Sequence, residues 1–399
     1  MICKVSSAVN NIMKKLLTAK FIIISLSFFF YALGNTLFDL IPLHLETLRL
    51  GKTEIGFIMS FSGLGGFAIL PVLSMIIDRV SLKTLLSGAI GILIISQSFF
   101  LTGAEPYPLY AFPLFIRGAL LSLFMISFIT LISQIVPDEK RMMGFSVFGI
   151  MGQLPFPLSI GIGENIYHRF GFKTITIIAF ACFIISFIIL RFFREEHVIK
   201  TVRNQNKLKN MLLIFKSSGI YPFLFSFFLV GYAFGTFQVF LPGFLFSRNI
   251  NRISLFWIIF PVTIIILRLI FAGILDKISL TRLLILPLLF LPLCFLIMLR
   301  ITSYSGLIIP AIIYGIAHGI LFPVLNAALI SHAPEGYKGR MMVISQLAIS
   351  LGMFLSARAG GLIADAASID AVFHLAAALT GSGILLFTAR RIIKKTSSY

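Results

Sequence analysis

Along most of the chain, polar residues come in short clusters separated by apolar runs of about twenty residues, the length of helix that crosses a hydrocarbon core of about 30 Å. Reading these runs between charged or Gly/Pro breaks predicts twelve spans: 21–45, 55–77, 83–102, 107–133, 142–163, 173–192, 219–245, 253–275, 281–300, 305–332, 340–364 and 371–391. The one long polar stretch, 194–216, lies near the middle. It divides the chain into a six-span unit at 1–192, a cytoplasmic linker at 193–217 and a second six-span unit at 218–399. Basic residues in the linker suit a short amphipathic element on anionic lipid. The opening stretch, with Lys14, Lys15 and Lys20 before an apolar run, has the pattern of a signal peptide. With eleven spans after it, it reads as an uncleaved first helix.

The two units repeat each other at an offset of 198 to 201 residues. Tyr31-Ala-Leu-Gly34 with Pro42 recurs as Tyr232-Ala-Phe-Gly235 with Pro242, and Asp78-Arg-Val-Ser-Leu as Asp276-Lys-Ile-Ser-Leu. Leu131-Ile-Ser133 recurs as Leu329-Ile-Ser331, and Arg141-Met-Met143 as Arg340-Met-Met342. Four matches in one order predict an all-α integral membrane fold of twelve transmembrane helices in two pseudo-symmetric six-helix bundles. Two like bundles can rock about a midplane site and expose it to either side in turn.

Composition agrees: 58% of residues are hydrophobic, 12% are charged and mean hydropathy is +1.03. A soluble domain carries about a quarter charged residues. Disorder is excluded by the apolar content and a disulfide scaffold by three cysteines, Cys3, Cys182 and Cys294, which are expected as free thiols. A net charge of +19 in a soluble chain would suggest nucleic acid, but here its placement decides. With both termini in the cytoplasm, 23 Lys and Arg fall on the inner side, seven on the outer side and three within spans. That bias orients a multi-pass protein of the inner cell membrane and needs no nucleic acid partner.

Several motifs resemble the major facilitator superfamily. The family pattern G-x-L-x-D-R-x-G-R-[RK] between spans 2 and 3 is met by Asp78-Arg79 and Lys83, without the two glycines and the middle Arg. Its second copy is Gly273 with Asp276, Lys277 and Arg282, preceded by Arg268. Leu50-Gly-Lys-Thr-Glu-Ile-Gly56, Phe115-Ile-Arg117-Gly118 and Gly315-Ile-Ala-His318-Gly319 are also similar. Span 5 keeps Gly152, Pro157 and Gly161 of the drug/proton antiporter pattern, with Phe156 and Ile160 in place of two glycines. The resemblance implies a bacterial efflux-type transporter, with Asp78, Arg79, Lys83, Asp276, Lys277 and Arg282 as a cytoplasmic gate. It further implies that spans 1, 4, 7 and 10 line the cavity.

A charge near the bilayer centre costs about 2.5 to 3.5 kcal/mol on insertion scales, so each one calls for a reason. Asp39 and Arg117 are the proton-coupling candidates, able to pair across spans 1 and 4. Asn35, Gln238, Tyr314, His318, Asn326 and Arg358 are the substrate-binding candidates, as polar groups on the presumed cavity helices or, for Arg358, as an anion contact that can pair with Asp365. Arg268 reads as structural, snorkelling toward the inner surface near Asp276. Among 43 Phe residues, Phe38, Phe124 and Phe322 are the favoured ligand contacts.

Gly51-Lys52-Thr53 ends like a phosphate loop, but Glu46 stands where its first Gly is needed. Without HExxH or paired carboxylates, the chain reads as no enzyme and needs no metal or other cofactor. The function expected is proton-coupled export of a small organic molecule by a monomer in contact with lipid. Uptake symport or facilitated diffusion of a sugar or other metabolite is the alternative, and a non-transporting receptor or scaffold is the more distant one.

Overall fold

In hydrocarbon every backbone amide must find its acceptor within its own helix. The computed structural model describes residues 18–76, 80–103, 107–136, 141–194, 220–271, 280–331 and 338–396, and all its regular elements there are helical. Span 1 comprises Ala19–Leu37, a 3-10 turn at Phe38–Leu40 and Ile41–Thr47. Spans 2, 3 and 4 are Lys52–Ile76, Leu82–Gln97 with Phe99–Thr102, and Ala111–Ile135. Spans 5 and 6 take up Arg141–Gln153 and Pro155–Arg191. Spans 7 to 12 are Tyr221–Phe246, Ser254–Phe271, Leu280–Met298, Ile308–Ser331, Lys338–Ala366 and Ile369–Thr396.

Among the described residues, eight stretches are long and apolar enough to cross a membrane, and three shorter apolar helices accompany them. One of the eight, Val147–Arg191, is 45 residues long, about twice what a bilayer needs. Gly171, at φ 77° and ψ 176°, divides it into spans 5 and 6 in a conformation that side chains resist. Twelve crossings result. Span 1 is not the single helix the apolar run predicts. Pro42 lacks an N–H and crowds the carbonyl one turn back, and the chain tightens into the 3-10 turn that carries Asp39.

Packing repeats with the sequence. Span 4 lies on spans 2 and 3, and span 10 on spans 8 and 9; span 3 meets span 6 as span 9 meets span 12. Spans 1 and 7 pack on the closing spans of their own bundles, and the bundles join where span 2 meets span 11 and span 8 meets the Pro155–Arg191 helix. Gly56 and Gly361 let the backbones of spans 2 and 11 touch, since a Cβ on either would strike the other chain segment. Even the turns after spans 1 and 7 match: Arg49 and Asn249 sit at φ 60° and 58°, rare for residues with side chains. These turns mark the far face of the bundle, opposite the start of span 1 at Ala19.

Candidate functional site

Three spans converge on one buried carboxylate. The 3-10 turn of span 1 carries Asp39, and Phe38 N–H bonds back to the Asn35 carbonyl. Arg117 of span 4 reaches across with Nη2 2.5 Å from Asp39 Oδ1 and 2.8 Å from the Asn35 carbonyl, while its Nε donates to Asn35 Oδ1 at 3.1 Å. Gln238 of span 7, in the other bundle, donates from Nε2 to the same Asp39 oxygen at 2.8 Å. The Asp39 and Arg117 side chains are 3% and 2% exposed. A pair so dry is held only by mutual charge and added hydrogen bonds, and removing one partner costs about 3 to 5 kcal/mol. Asp39, Arg117, Asn35 and Gln238 are thus one network, and Gln238 makes it a contact between bundles.

The other candidates lie apart from it. Tyr314 is fully buried between Phe237, Phe256 and Phe260, with no partner for its hydroxyl among the described residues. His318 is half-buried, its Nδ1 likewise unpartnered and its ring stacked on Phe322 at 6.0 Å. Asn326 spends its amide on the Phe322 carbonyl one turn back, at 2.7 Å. Arg358 does not pair with Asp365: its guanidinium stacks 5.3 Å from the Phe57 ring centre, and Asp365 is engaged elsewhere. Phe38 and Phe124 are core residues, wedged among Phe100, Phe172 and Phe183 and against Tyr31 respectively. Cys182 and Cys294 are buried free thiols, and Cys3 lies outside the described residues.

Of the expected gate, Asp78, Arg79, Asp276 and Lys277 lie outside the described residues, as does the linker from 195 onward; of Arg282 only the backbone is described. Lys83 donates to the Arg191 and Phe193 carbonyls at 2.9 and 2.5 Å, tying the start of span 3 to the end of span 6 in its own bundle.

The far face holds a feature that no motif announces. Glu164, near the end of span 5, accepts the Ile253 and Ser254 N–H groups at 2.7 and 2.9 Å where span 8 begins. Asp365, ending span 11, accepts those of Lys52 and Thr53 at 3.1 and 2.7 Å where span 2 begins. A carboxylate on the free amides of a helix N-terminus is doubly favoured, by hydrogen bonds and by the helix dipole. Each clasp joins the two bundles, and the same 201 residues separate Glu164 from Asp365, Lys52 from Ile253 and Thr53 from Ser254. Beside them the Glu46–Lys52 ion pair lies against Gly243 of span 7.

The sequence profile of the Major Facilitator Superfamily matches residues 23–357 and 253–398. No curated protein matches the chain in sequence. Among solved structures, a point mutant of the nucleoside transporter NupG superposes with a TM-score of 0.76 at 17% identity, covering 93% of this chain and 99% of its own. The human organic anion transporter MFSD10 gives 0.71 at 14%, covering 92% and 98%. A structure on substrate recognition in proton-dependent oligopeptide transporters gives 0.70 at 12%, covering 94% and 96%. At such identities the likeness is one of fold.

Proposed function

This chain belongs to the major facilitator superfamily and is a multi-pass membrane transporter, and from its polar network we propose proton-coupled export of a small organic molecule by alternating access. The observation that carries this reading is the bonding of Asp39 to Arg117 in its own bundle and to Gln238 in the other. When the bundles part on the far face, Gln238 leaves Asp39, and the carboxylate changes partners and hydration with each turnover. A carboxylate whose surroundings alternate in this way can load a proton on one side and unload it on the other. The moving bodies are the units at 1–192 and 218–399, and the excess of bases at the termini side puts that side in the cytoplasm.

The cargos named for the structural neighbours, nucleosides and organic anions among them, differ in chemistry, so cargo choice rests on this chain's own side chains. The test of coupling is flux into proteoliposomes under an imposed pH gradient. Asp39→Asn, which keeps the shape and loses the charge, should cut gradient-driven flux about tenfold or more while leaving counterflow of the same solute measurable. Undiminished gradient-driven flux would remove Asp39 from the coupling, and gradient-driven accumulation on the opposite side would make the protein an importer.

A further inference from the structure

Arg268 does not snorkel to the surface. On span 8 the lipid-facing residues are Val262, Ile266, Leu269 and Ile270, whereas Trp257, Phe260 and Ile264 are buried. At 100° per residue, Arg268 falls on the buried side. Its guanidinium lies against Gly149 of span 5, in the other bundle, where a Cβ would collide with Nη1 and Cζ. Arg117 is neutralised by Asp39, but Arg268 has no ion pair and no hydrogen bond among the described residues. A cation facing inward at membrane depth with no partner among the described residues is costly unless something anionic visits it.

What surrounds Arg268 describes the rest of such a visitor. Gly319 of span 10 packs on Ile264 and Leu267, which puts His318 beside the same stretch of span 8. The His318 ring is bordered by Phe234, Phe260, Tyr314 and Phe322, with centroids 5.7 to 6.3 Å away. Phe156 of span 5 stacks on Trp257 at 5.9 Å and 9° and meets Phe260 at 5.7 Å, carrying the aromatic wall across to the first bundle. Around it the Tyr314 hydroxyl, His318 Nδ1 and, one turn from Gly149, Gln153 Oε1 are buried with no hydrogen-bond partner among the described residues.

We propose that Arg268 is the anion anchor of the transport site and that the cargo is an organic acid with an aromatic body, its carboxylate on Arg268 and its ring against Phe156, Trp257 and Phe322. This rests on the transporter reading and adds to it the cargo class and a residue. Gly149 gives the guanidinium its room, and because Arg268 and Gly149 belong to different bundles the subsite is made or broken as the bundles move.

Trp257 is the only tryptophan in the chain, so binding can be read without transport. The probe is 4-nitrobenzoate, which quenches indole emission, with neutral 4-nitrobenzyl alcohol as its control, titrated into the purified full-length protein in detergent. Saturable quenching by the acid should weaken about tenfold or more in Arg268→Gln and be largely restored in Arg268→Lys, while the alcohol should not distinguish the three. Gly149→Leu, which pushes the guanidinium aside, should weaken the acid as Arg268→Gln does. No saturable quenching of the wild-type protein by the acid, or equal affinity of wild type and a monodisperse Arg268→Gln, would overturn the proposal. Flux of the same probes in proteoliposomes separates the two readings: transport of other solutes without acid binding sinks only the subsite, whereas acid binding without flux of any solute sinks the transporter reading.

Discussion

At the scale of single residues, the Asp39 network sorts its members by what their loss leaves behind. Arg117→Gln strands a buried carboxylate and should lower unfolding stability in detergent by about 3 to 5 kcal/mol. Gln238→Ala removes a neutral donor while the ion pair stays intact, and should cost only about 1 kcal/mol. Thermal unfolding of the two purified variants checks this, and equal losses would show that charge neutralisation is not what Arg117 supplies. The pairing of Asp39 with Arg117 is legible in the sequence because intramembrane charges are few and each calls for a partner. The same logic fails for Arg358: Asp365 has two backbone amides to choose instead, and amide donors leave no mark in a sequence. For Arg268, distance along the helix axis suggests snorkelling, but direction around the axis decides where the side chain goes.

At the scale of elements, apolar run length locates all the spans, since hydrocarbon thickness sets it. Their interruptions are less visible. Pro42 breaks span 1 beside Asp39, whereas Pro242, Pro261 and Pro323 are carried inside helices, so proline alone does not tell a break from a kink that neighbouring helices can support. The clasps of Glu164 and Asp365 can be found by laying the repeat on itself, where the two acids align at 201 residues. Each clasp caps a helix start, a contribution of about 1 kcal/mol or more, and both act across the bundle boundary. Glu164→Gln combined with Asp365→Asn should therefore favour parting of the far face. Spin labels at positions 49 and 249, in the turns after spans 1 and 7, should report a longer distance in the double variant. An unchanged distance distribution would make the clasps local caps with no part in closing that face.

At the scale of the whole molecule, the repeat is kept in the mechanics and abandoned in the chemistry. Clasps, turns and helix neighbours recur, but the charged network belongs to the first bundle, where Arg117 stands within one turn of the place that His318 holds in the second. The second bundle supplies most of the aromatic wall instead. Composition makes the membrane class plain; the cargo is not legible because it depends on which unpaired groups point inward.

The clasps carry one more consequence. Each half offers an acid to its counterpart and receives one in return, which is the self-complementarity of an isologous dimer interface. Two such surfaces need no covalent tether to find their register. A gene cut between spans 6 and 7 and expressed as two separate polypeptides should yield halves that copurify in detergent through a tag on either one, and loss of both acids should weaken that recovery. Assembly of the pieces would mean that the peptide connecting them sets their ratio and proximity, while the far-face clasps set how they meet.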